Sequence, residues 1–464
     1  MIRIEMARKA IFGIDIRIRC ILDNRVMKNI NDLAPPCPPR NMDAVILFCL
    51  TFIYCLGPVL NSYSSIVDFI FFSSIILSLY LVFRIKRFPP PFINIFWILV
   101  PIFFYITVSA VFYNEAQVFD FIRLGFKPIR IVATVIGGFA LVALFLRSGY
   151  SLDSVYLFIF LSISFHSVIM ILQLYFPDFK DLIYSYTTSS SLNFEDYSYE
   201  YNFRMGGLAG SYGSSTLSVT QAFGVILLPF LNNGRVLWQR WVLNLCAGIV
   251  LFSVIICGRS GLLFMLIFYP LSVILASGSF SGRIAFKFMI TILALLVFMS
   301  GLLALISNLD NTSDLFYSLR RTFDSLIMIK DGGKWEDNTV NTLLTFWILP
   351  SRPEIFILGS SEFLINTHFS RTLDSDIGYI RNIWGMGIFV ALVYWMPYFY
   401  FCIKGWKNLS HYKSANVLLI ITLITILLHA KEDVFYSRIL LSYFALILGV
   451  FYFEKFPRNH YVRN

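Results

Sequence analysis

Charged residues are scarce in this chain. Asp, Glu, Lys and Arg make up 14% of the 464 residues, whereas hydrophobic residues make up 58% and phenylalanine alone occurs 48 times. A water-soluble core cannot bury that much apolar surface, so the composition excludes an ordinary soluble protein and predicts a membrane protein. Strand-like alternation of apolar and polar residues is also missing, which argues against an outer-membrane barrel.

Cysteine and metal-binding patterns are equally sparse. The chain has 7 cysteines, of which Cys20 and Cys37 precede the first apolar run and the others fall inside apolar runs. The loops between the runs contain none to pair, and no metal-ligand spacing occurs, so we expect no disulfide, no metal and no other cofactor. The net charge of +10 is explained by membrane topology and attraction to anionic lipid headgroups, and no basic motif indicates a nucleic-acid partner.

Long apolar runs are abundant. Runs of about 17 to 25 residues recur, each long enough to cross a hydrocarbon core of roughly 30 Å as a helix. The sequence therefore predicts an all-α integral membrane protein with about 12 transmembrane helices. The predicted spans are 44–60, 66–83, 92–113, 129–146, 152–176, 208–231, 241–257, 261–276, 288–306, 377–403, 414–430 and 434–453.

The short loops predict the orientation of the chain. Placing the N-terminus in the cytoplasm puts most of their Lys and Arg on the cytoplasmic side, as the positive-inside rule requires. Both termini are then cytoplasmic. The predicted order is a tail over 1–43, transmembrane helices 1–5 over 44–176, a large outer loop over 177–207, helices 6–9 over 208–306, a second large outer loop over 307–376, and helices 10–12 with a cytoplasmic tail over 377–464.

Residues 1–43 differ from the rest of the chain. They carry charge too densely to insert into a membrane, and they end in the stiff proline segment "APPCPPR". Two alternatives stay open for this segment: a cytoplasmic tail, or an over-extended translation start, since Met42 immediately precedes the first span.

The two large outer loops are too long to be turns. The loop 177–207 is rich in Tyr, Ser and acidic residues, which suits contact with sugars, although an ordinary polar loop has the same composition. The second loop contains "LFYSLRRTFDSLIMIKDGG", whose apolar residues recur at helical spacing and predict an amphipathic helix, either at the membrane surface or packed within the loop.

Four charged clusters fall on the outer side in this topology. They are Arg204 before the sixth span, Arg259 in "CGRSGLL", the group Asp374, Asp376 and Arg381, and "AKEDVFYSR" with Lys431 and Glu432. Charge at the membrane edge is costly and is usually retained for function. Structural alternatives also exist: Asp376 suits the N-cap of the tenth helix, Arg259 suits snorkelling, and Lys431 suits an ion pair with Glu432.

Several cations around carboxylates predict an anion site with acid or base groups beside it. A diphosphate fits such a site, because the arginine fork binds phosphate oxygens bidentately and can hold a diphosphate without magnesium. A nearby carboxylate could deprotonate an attacking hydroxyl. No nucleotide is available outside the inner membrane, and no acidic motif for a metal-held nucleotide-sugar occurs, so we expect a lipid-linked donor.

With these features the chain resembles the O-antigen polymerase family, multispan enzymes that join undecaprenyl-diphosphate-linked oligosaccharide repeats at the periplasmic face of the bacterial inner membrane. The matching segments are "FRMGGLAGSYGSSTLSV" after the first large loop, "CGRSGLL" between two spans and "DSDIGYIRNIWGMGI" after the second large loop. The resemblance covers most of residues 44–453. It implies a GT-C-like membrane glycosyltransferase of lipopolysaccharide biosynthesis with periplasmic outer loops.

The resemblance also implies roles for residues and partners. Arg204 and Arg259 resemble the family's functional arginines, and the stretch 374–387 resembles the segment that closes its active cavity. We therefore expect the lipid diphosphate to be held by Arg204, Arg259, Arg371, Arg381 and Lys431, with a base among Asp374, Asp376 and Glu432. The expected partners are undecaprenyl-diphosphate-linked oligosaccharides, the lipid bilayer and a chain-length regulator membrane protein.

Two other functions remain as alternatives. The related O-antigen ligases carry a His-Asn pair about where Asp374 and Ser375 stand, and this sequence lacks it; His368 would need a different register, which favours a polymerase. A lipid-linked oligosaccharide flippase would also need cationic residues, but its charges should lie along the spans and it should not need two large outer loops.

Overall fold

The apolar runs of the sequence fold as α-helices, which pair backbone N–H and C=O groups within each run. The structure, a computed structural model, describes residues 41–58, 68–85, 94–113, 118–187, 205–209, 215–232, 235–277, 297, 301, 347–360, 377–409 and 411–455, and no strand occurs among them. The helices are α1 Asn41–Leu56, α2 Phe69–Tyr80 continuing as a π-helix Leu81–Ile85, α3 Asn94–Trp97, α4 Leu99–Tyr113, α5 Val118–Arg147, α6 Leu152–Tyr175, α7 Pro177–Thr187, α8 Ser215–Asn232, α9 Leu237–Cys257, α10 Arg259–Ser277, α11 Pro353–Leu358, α12 Gly378–Met386, α13 Ile388–Lys407, α14 Lys413–His429 and α15 Arg438–Lys455.

The described helices are those of a membrane protein. Six are long and apolar enough to cross a membrane: Phe126–Arg147, Leu152–Tyr175, Ser215–Asn232, Leu237–Cys257, Arg259–Ser277 and Ile388–Lys407. Four shorter apolar helices accompany them: Asp43–Leu56, Phe69–Phe83, Asn94–Ser109 and Lys413–His429. The all-α class is confirmed for the described residues. The count of twelve spans stays a prediction, and the ninth, 288–306, lies outside the described residues apart from positions 297 and 301.

Helices α8, α14 and α15 form the centre of the bundle. In α15 every residue from Ile439 to Tyr452 is buried, and α8 and α14 are buried around most of their circumference. Helix α5 packs against α15, while α9 and α10 pack against α8 and α13 packs against α14. A helix that is apolar on all sides is stable only when other helices surround it, which explains why these three occupy the interior.

The outer helices turn large apolar side chains away from the bundle. Leu237, Trp238 and Trp241 on α9 are exposed, as are Phe389 and Trp406 on α13. In water such surfaces would promote association, whereas hydrocarbon chains are a favourable neighbour for them. This pattern supports a lipid bilayer as the environment of the described bundle.

The tenth predicted span, 377–403, is two helices rather than one. Helix α12 ends at Met386 and α13 begins at Ile388, with Gly387 between them at φ 75°. A side chain at Gly387 would be strained in that conformation and would overlap the backbone of Ile357. The sequence did not predict this break because glycine is common inside transmembrane helices.

The predicted outer loops are described only in part. The first, 177–207, begins with helix α7, and its residues 205–209 are also described. Of the second, 307–376, the structure describes 347–360, which includes the short helix α11 packed near α12 and α13. The amphipathic helix predicted within this loop lies outside the described residues.

Close packing of α10 on α8 depends on Gly261. A Cβ at this position would overlap the backbone oxygen and hydroxyl of Ser218 and lie 2.7 Å from Cγ1 of Val254. Gly261→Ala must therefore push the two helices apart, and overpacking of this kind costs about 1–3 kcal/mol. We expect a lower Tm of the purified protein in detergent.

Gly248 on α9 is the matched control for this substitution. A Cβ there meets nothing within 4 Å. Gly248→Ala should keep or raise the Tm, because alanine favours a helix over glycine by up to about 1 kcal/mol. A Gly261→Ala protein as stable as the wild type would contradict the close approach of α8 and α10.

Candidate functional site

Polar residues from four parts of the chain meet at one end of the bundle. They are the start of α8 (215–216), the junction of α9 with α10 (258–260), the start of α12 (377–382), and the end of α14 with the turn into α15 (429–438). Direct hydrogen bonds join the last segment to each of the other three. We call these residues the site end.

Positive charge concentrates at the start of α10. Arg259 is the first residue of this helix and is half-buried, and the first turn contains no acidic residue. Nζ of Lys431 donates to Oγ of the neighbouring Ser260 at 2.6 Å. The N-terminus of a helix is the positive end of its dipole, so cations placed here do not stabilise the helix. An anion bound beside them would be stabilised by the dipole and by both side chains.

Glu432 caps helix α8 from the opposite side of the site end. Its Oε1 accepts the N–H of Ser215 at 3.1 Å, and its Oε2 accepts the N–H of Thr216 at 3.1 Å and the hydroxyl of Thr216 at 2.7 Å. The first N–H groups of a helix lack intrahelical partners, and a carboxylate also stabilises the positive dipole end. This contact fixes the turn after α14 to the start of α8.

Asn382 connects α12 to the same turn. Its Oδ1 accepts the indole N–H of Trp395 at 2.8 Å and lies 3.0 Å from Nε2 of His429, and its Nδ2 lies 3.4 Å from Oδ1 of Asp433. Nδ1 of His429 accepts the backbone N–H of Val434 at 3.2 Å, so the ring proton is assigned to Nε2 and donates to Asn382. Oxygen and nitrogen of the Asn382 amide therefore both have partners.

This buried network positions a carboxylate. His429 is fully buried and stacks on Phe435 with ring centroids 3.8 Å apart, while Tyr379 meets it edge-on at 4.6 Å. Asp433 lies 3.7 Å from Nδ1 of His429, and its side chain is 19% exposed. A fully satisfied polar network is rigid. Asp433 is thus both held in place and accessible.

Helix α12 lies directly on the turn after α14. A Cβ at Gly378 would come within 2.5 Å of Cε1 of His429 and 2.7 Å of the carbonyl oxygen of Glu432. Only glycine permits this approach, and it brings the half-buried Arg381, one turn further along α12, to the site end. Helix α12 begins at Gly378 with Ile377 at the N-cap position, so the expectation that Asp376 occupies this N-cap is wrong.

The segment 205–209, which follows Arg204 in the chain, is held inside the bundle by three side chains. The N–H of Gly206 donates to the hydroxyl of Tyr184 at 2.8 Å, and the N–H of Gly207 donates to Oε1 of Gln173 at 2.9 Å. Leu208 donates its N–H to Nε2 of His166 at 3.0 Å. Glycine is required at position 207 for two reasons: its φ of 58° disfavours other residues, and a side chain there would overlap His166.

The structure describes four of the site residues that the sequence predicts, and all four lie at the site end: Arg259, Arg381, Lys431 and Glu432. The contacts seen for Lys431 and Glu432 are with Ser260 and with α8. Arg204, Arg371, Asp374 and Asp376 lie outside the described residues, so their placement stays a prediction. In the part of the chain that the structure describes, no group of three His, Cys, Asp or Glu side chains is placed to hold a metal ion.

Sequence reasoning assigned no role to Asn382, His429 or Asp433, although Asn382 and Asp433 lie within the quoted segments "DSDIGYIRNIWGMGI" and "AKEDVFYSR". Each lies in or beside the predicted outer end of a span, next to charged residues that the sequence did single out. Polar residues at the membrane edge are a usable signal for a site. Their contact with one another, however, joins helices that are distant in sequence, and spacing along the chain cannot reveal it.

Glu432 and Glu454 form a matched pair for testing the site end. Glu454, at the opposite end of the bundle, caps α14 by accepting the N–H of Ser414 at 2.9 Å together with the Ser414 hydroxyl. Replacing either carboxylate by Gln removes the charge from a helix cap, which should cost about 1 kcal/mol of stability in both cases. We expect similar losses in Tm for Glu432→Gln and Glu454→Gln.

Activity should separate the two variants. Only Glu432→Gln alters the turn that carries Lys431 and Asp433, so only this variant should reduce the glycan chain formation that the family resemblance predicts, measured at matched membrane abundance. Wild-type chain formation by Glu432→Gln would remove Glu432 from the site and leave it a helix cap alone.

Comparisons of the chain with models of protein families, with curated proteins and with solved structures find no match.

Proposed function

We propose that this chain is an O-antigen or polysaccharide polymerase of the bacterial inner membrane. It transfers a growing glycan from undecaprenyl diphosphate to an incoming undecaprenyl-diphosphate-linked repeat unit at the periplasmic face. The observation that best supports this proposal is that Arg259, Lys431, Glu432 and Asp433 lie at the same end of an apolar helical bundle. A chain-length regulator in the same membrane would act on the product.

The reaction requires one bond to form and one to break. A hydroxyl oxygen of the acceptor sugar attacks the anomeric carbon of the donor glycan. The bond between that carbon and the diphosphate oxygen breaks, and the electron pair leaves with undecaprenyl diphosphate. The hydroxyl proton passes to a carboxylate. The protein must therefore stabilise negative charge on the leaving group and provide a base.

The start of α10 suits the leaving group. Arg259 presents a planar fork of N–H donors, Lys431 adds a second charge, and the helix N-terminus adds its dipole. Arg204, Arg371 and Arg381 are the further predicted ligands of the diphosphate. Stabilisation by these cations alone would make the reaction independent of a metal ion.

The carboxylates divide into two roles. Glu432 uses both oxygens to cap α8, so we assign it to positioning the turn that carries Lys431. Asp433 is held by Asn382 and is accessible, so it joins the predicted Asp374 and Asp376 as a candidate base. The turn that carries Asp433 is fixed by the contact of Glu432 with α8 and by Asn382 on α12.

The glycan profile of a deletion strain tests the proposed function. Without the polymerase each lipid A-core should carry a single repeat unit, and the wild-type gene should restore long chains. Gel separation of lipopolysaccharide measures this directly. A bare core with accumulated lipid-linked polymer would indicate an O-antigen ligase, and loss of all outward repeats would indicate a flippase; either profile contradicts the proposal.

A lysine substitution tests the role of Arg259. Arg259→Lys keeps the positive charge but loses the paired N–H donors, and a lost charge-assisted hydrogen bond is worth about 1.5–3 kcal/mol. If this contact acts in the transition state, the rate should fall by about 10- to 150-fold. The measurement is a polymerisation assay at matched membrane abundance.

Arg240→Lys is the control for this substitution, because Arg240 is exposed on α9 in the half away from the site end. It should polymerise as the wild type does. Near-full chain formation by Arg259→Lys would contradict bidentate binding, and near-full activity of Arg259→Ala would remove Arg259 from the site.

A further inference from the structure

Two arginines converge on one buried carboxylate at the starts of α2 and α15. Oδ1 of Asp68 caps α2 by accepting the N–H of Phe71 at 2.7 Å. Oδ2 accepts a hydrogen bond from Nη2 of Arg130 on α5, and Nη1 of Arg438 lies 3.7 Å from the same oxygen. The Asp68 side chain is fully buried, whereas those of Arg130 and Arg438 are 16% and 20% exposed. We call Asp68, Arg130 and Arg438 the arginine cluster.

Among the described residues, the guanidinium groups of Arg130 and Arg438 both face the one carboxylate of Asp68. Arg130 and the N–H of Phe71 already satisfy Asp68, so the capping of α2 does not require Arg438. A cation in a mostly buried position at the membrane edge is costly unless a counter-charge or a ligand faces it.

The guanidinium group of Arg438 has N–H donors available for a ligand. Among the residues that the structure describes, none accepts a hydrogen bond from its guanidinium group, and its contact with Asp68 is longer than a hydrogen bond. A guanidinium group has five N–H donors in a fixed plane, a geometry that matches phosphate oxygens. The positive charge of Arg438 and its available donors point to the same kind of ligand.

The residue before Arg438 adds a second, independent indication. Oγ of Ser437 is buried and has no hydrogen-bond partner within the described part of the chain. The carbonyl of Ser437 accepts the N–H of Leu441 at 2.9 Å, which places Ser437 at the start of the 18-residue helix α15. A buried hydroxyl that donates to nothing is costly, and an anion at this helix start would satisfy it.

We propose that Arg130, Ser437 and Arg438 form a second phosphate subsite, separate from Arg259 and Lys431, that holds the diphosphate of the acceptor lipid. This inference rests on the proposed function, because transfer between two lipid-linked glycans requires two lipid diphosphates to be bound at once. The turn after α14 carries Lys431 near its start and ends at Arg438, so it joins the two subsites.

The chemistry of the subsite agrees with an acceptor. Only the donor loses its diphosphate, so the acceptor diphosphate needs cations to bind it but neither acid nor base. The carboxylate in this cluster, Asp68, is fully buried and engaged as a cap. Phe69 and Phe72 on α2 are exposed beside it and offer an apolar surface to a lipid chain.

Asp68→Asn gives the sharpest test, because binding and structural roles predict opposite signs. Asparagine caps a helix about as well as aspartate, so the hydrogen bond to Phe71 can remain. Loss of the competing negative charge should tighten binding of undecaprenyl diphosphate to purified protein in nanodiscs by about tenfold at one of two sites. Inorganic pyrophosphate should raise the Tm of this variant more than that of the wild type.

Asp153→Asn is the matched control, since Asp153 pairs with Lys413 at 2.7 Å in an ion pair at the opposite end of the bundle. It should leave diphosphate affinity unchanged. If Asp68→Asn lowers the Tm, gains no affinity and is not rescued by pyrophosphate, the arginine cluster is a structural ion pair and the proposal is wrong.

Arg438→Gln tests how many molecules of undecaprenyl diphosphate the protein binds. Wild-type protein should bind two undecaprenyl diphosphates and the variant one, and Arg438→Lys, the milder change, should weaken one of the two sites. In a transfer assay Arg438→Gln should raise the KM for the lipid-linked acceptor by about tenfold and change kcat little. One bound lipid in the wild type, or two in Arg438→Gln, would overturn the subsite.

Further results distinguish a bound phospholipid from bound undecaprenyl diphosphate, and the failure of the subsite from the failure of the polymerase proposal. Phosphatidylglycerol that occupies the cluster and is not displaced by undecaprenyl diphosphate would overturn the acceptor role and indicate a structural lipid. Wild-type protein that binds two lipid diphosphates with the expected variant effects but transfers no glycan would disprove the polymerase while leaving the subsite intact. If the protein transfers glycan and Arg438→Gln leaves that transfer unchanged, the subsite is disproved and the polymerase proposal stands.

Discussion

The contact between Glu432 and the start of α8 determines how the site end is assembled. It joins a turn near the end of the chain to a helix start 216 residues earlier. Within a membrane the first N–H groups of a helix find no water, so a carboxylate in this position is worth more than it would be on a soluble surface. Because the same turn carries His429, Lys431 and Asp433, satisfying the backbone of α8 also places the charged groups of the site.

The two ends of the bundle use charge differently. At the opposite end Lys413 pairs with Asp153, and Glu454 caps α14. These three charged residues each have a structural partner close by. At the site end Arg259 starts a helix that has no acidic residue in its first turn, and Arg438 shares one carboxylate with Arg130. Partly buried cations that start a helix or share one carboxylate are what the proposed anionic substrate would require.

Composition and periodicity were sufficient to predict a helical membrane protein, because long apolar runs have few alternatives in a bilayer. Topology was sufficient to bring Arg259, Arg381, Lys431 and Glu432 to one end. The break at Gly387 and the Asn382 network could not be predicted, because both depend on contacts between segments far apart in the chain. Asp68 and Arg130 escaped notice for the same reason, since each looks like an isolated charge in the sequence.

The all-round burial of α15 has a consequence for biogenesis. This helix is synthesised after every other described helix, yet α5 and α14 pack against it as the bundle's interior. During insertion the earlier helices must therefore leave a central space, occupied by lipid chains, until α15 enters it. The turn that carries the site residues immediately precedes α15 and can reach its final position only then. A ribosome-bound chain that has not yet inserted α15 would thus lack an assembled site end.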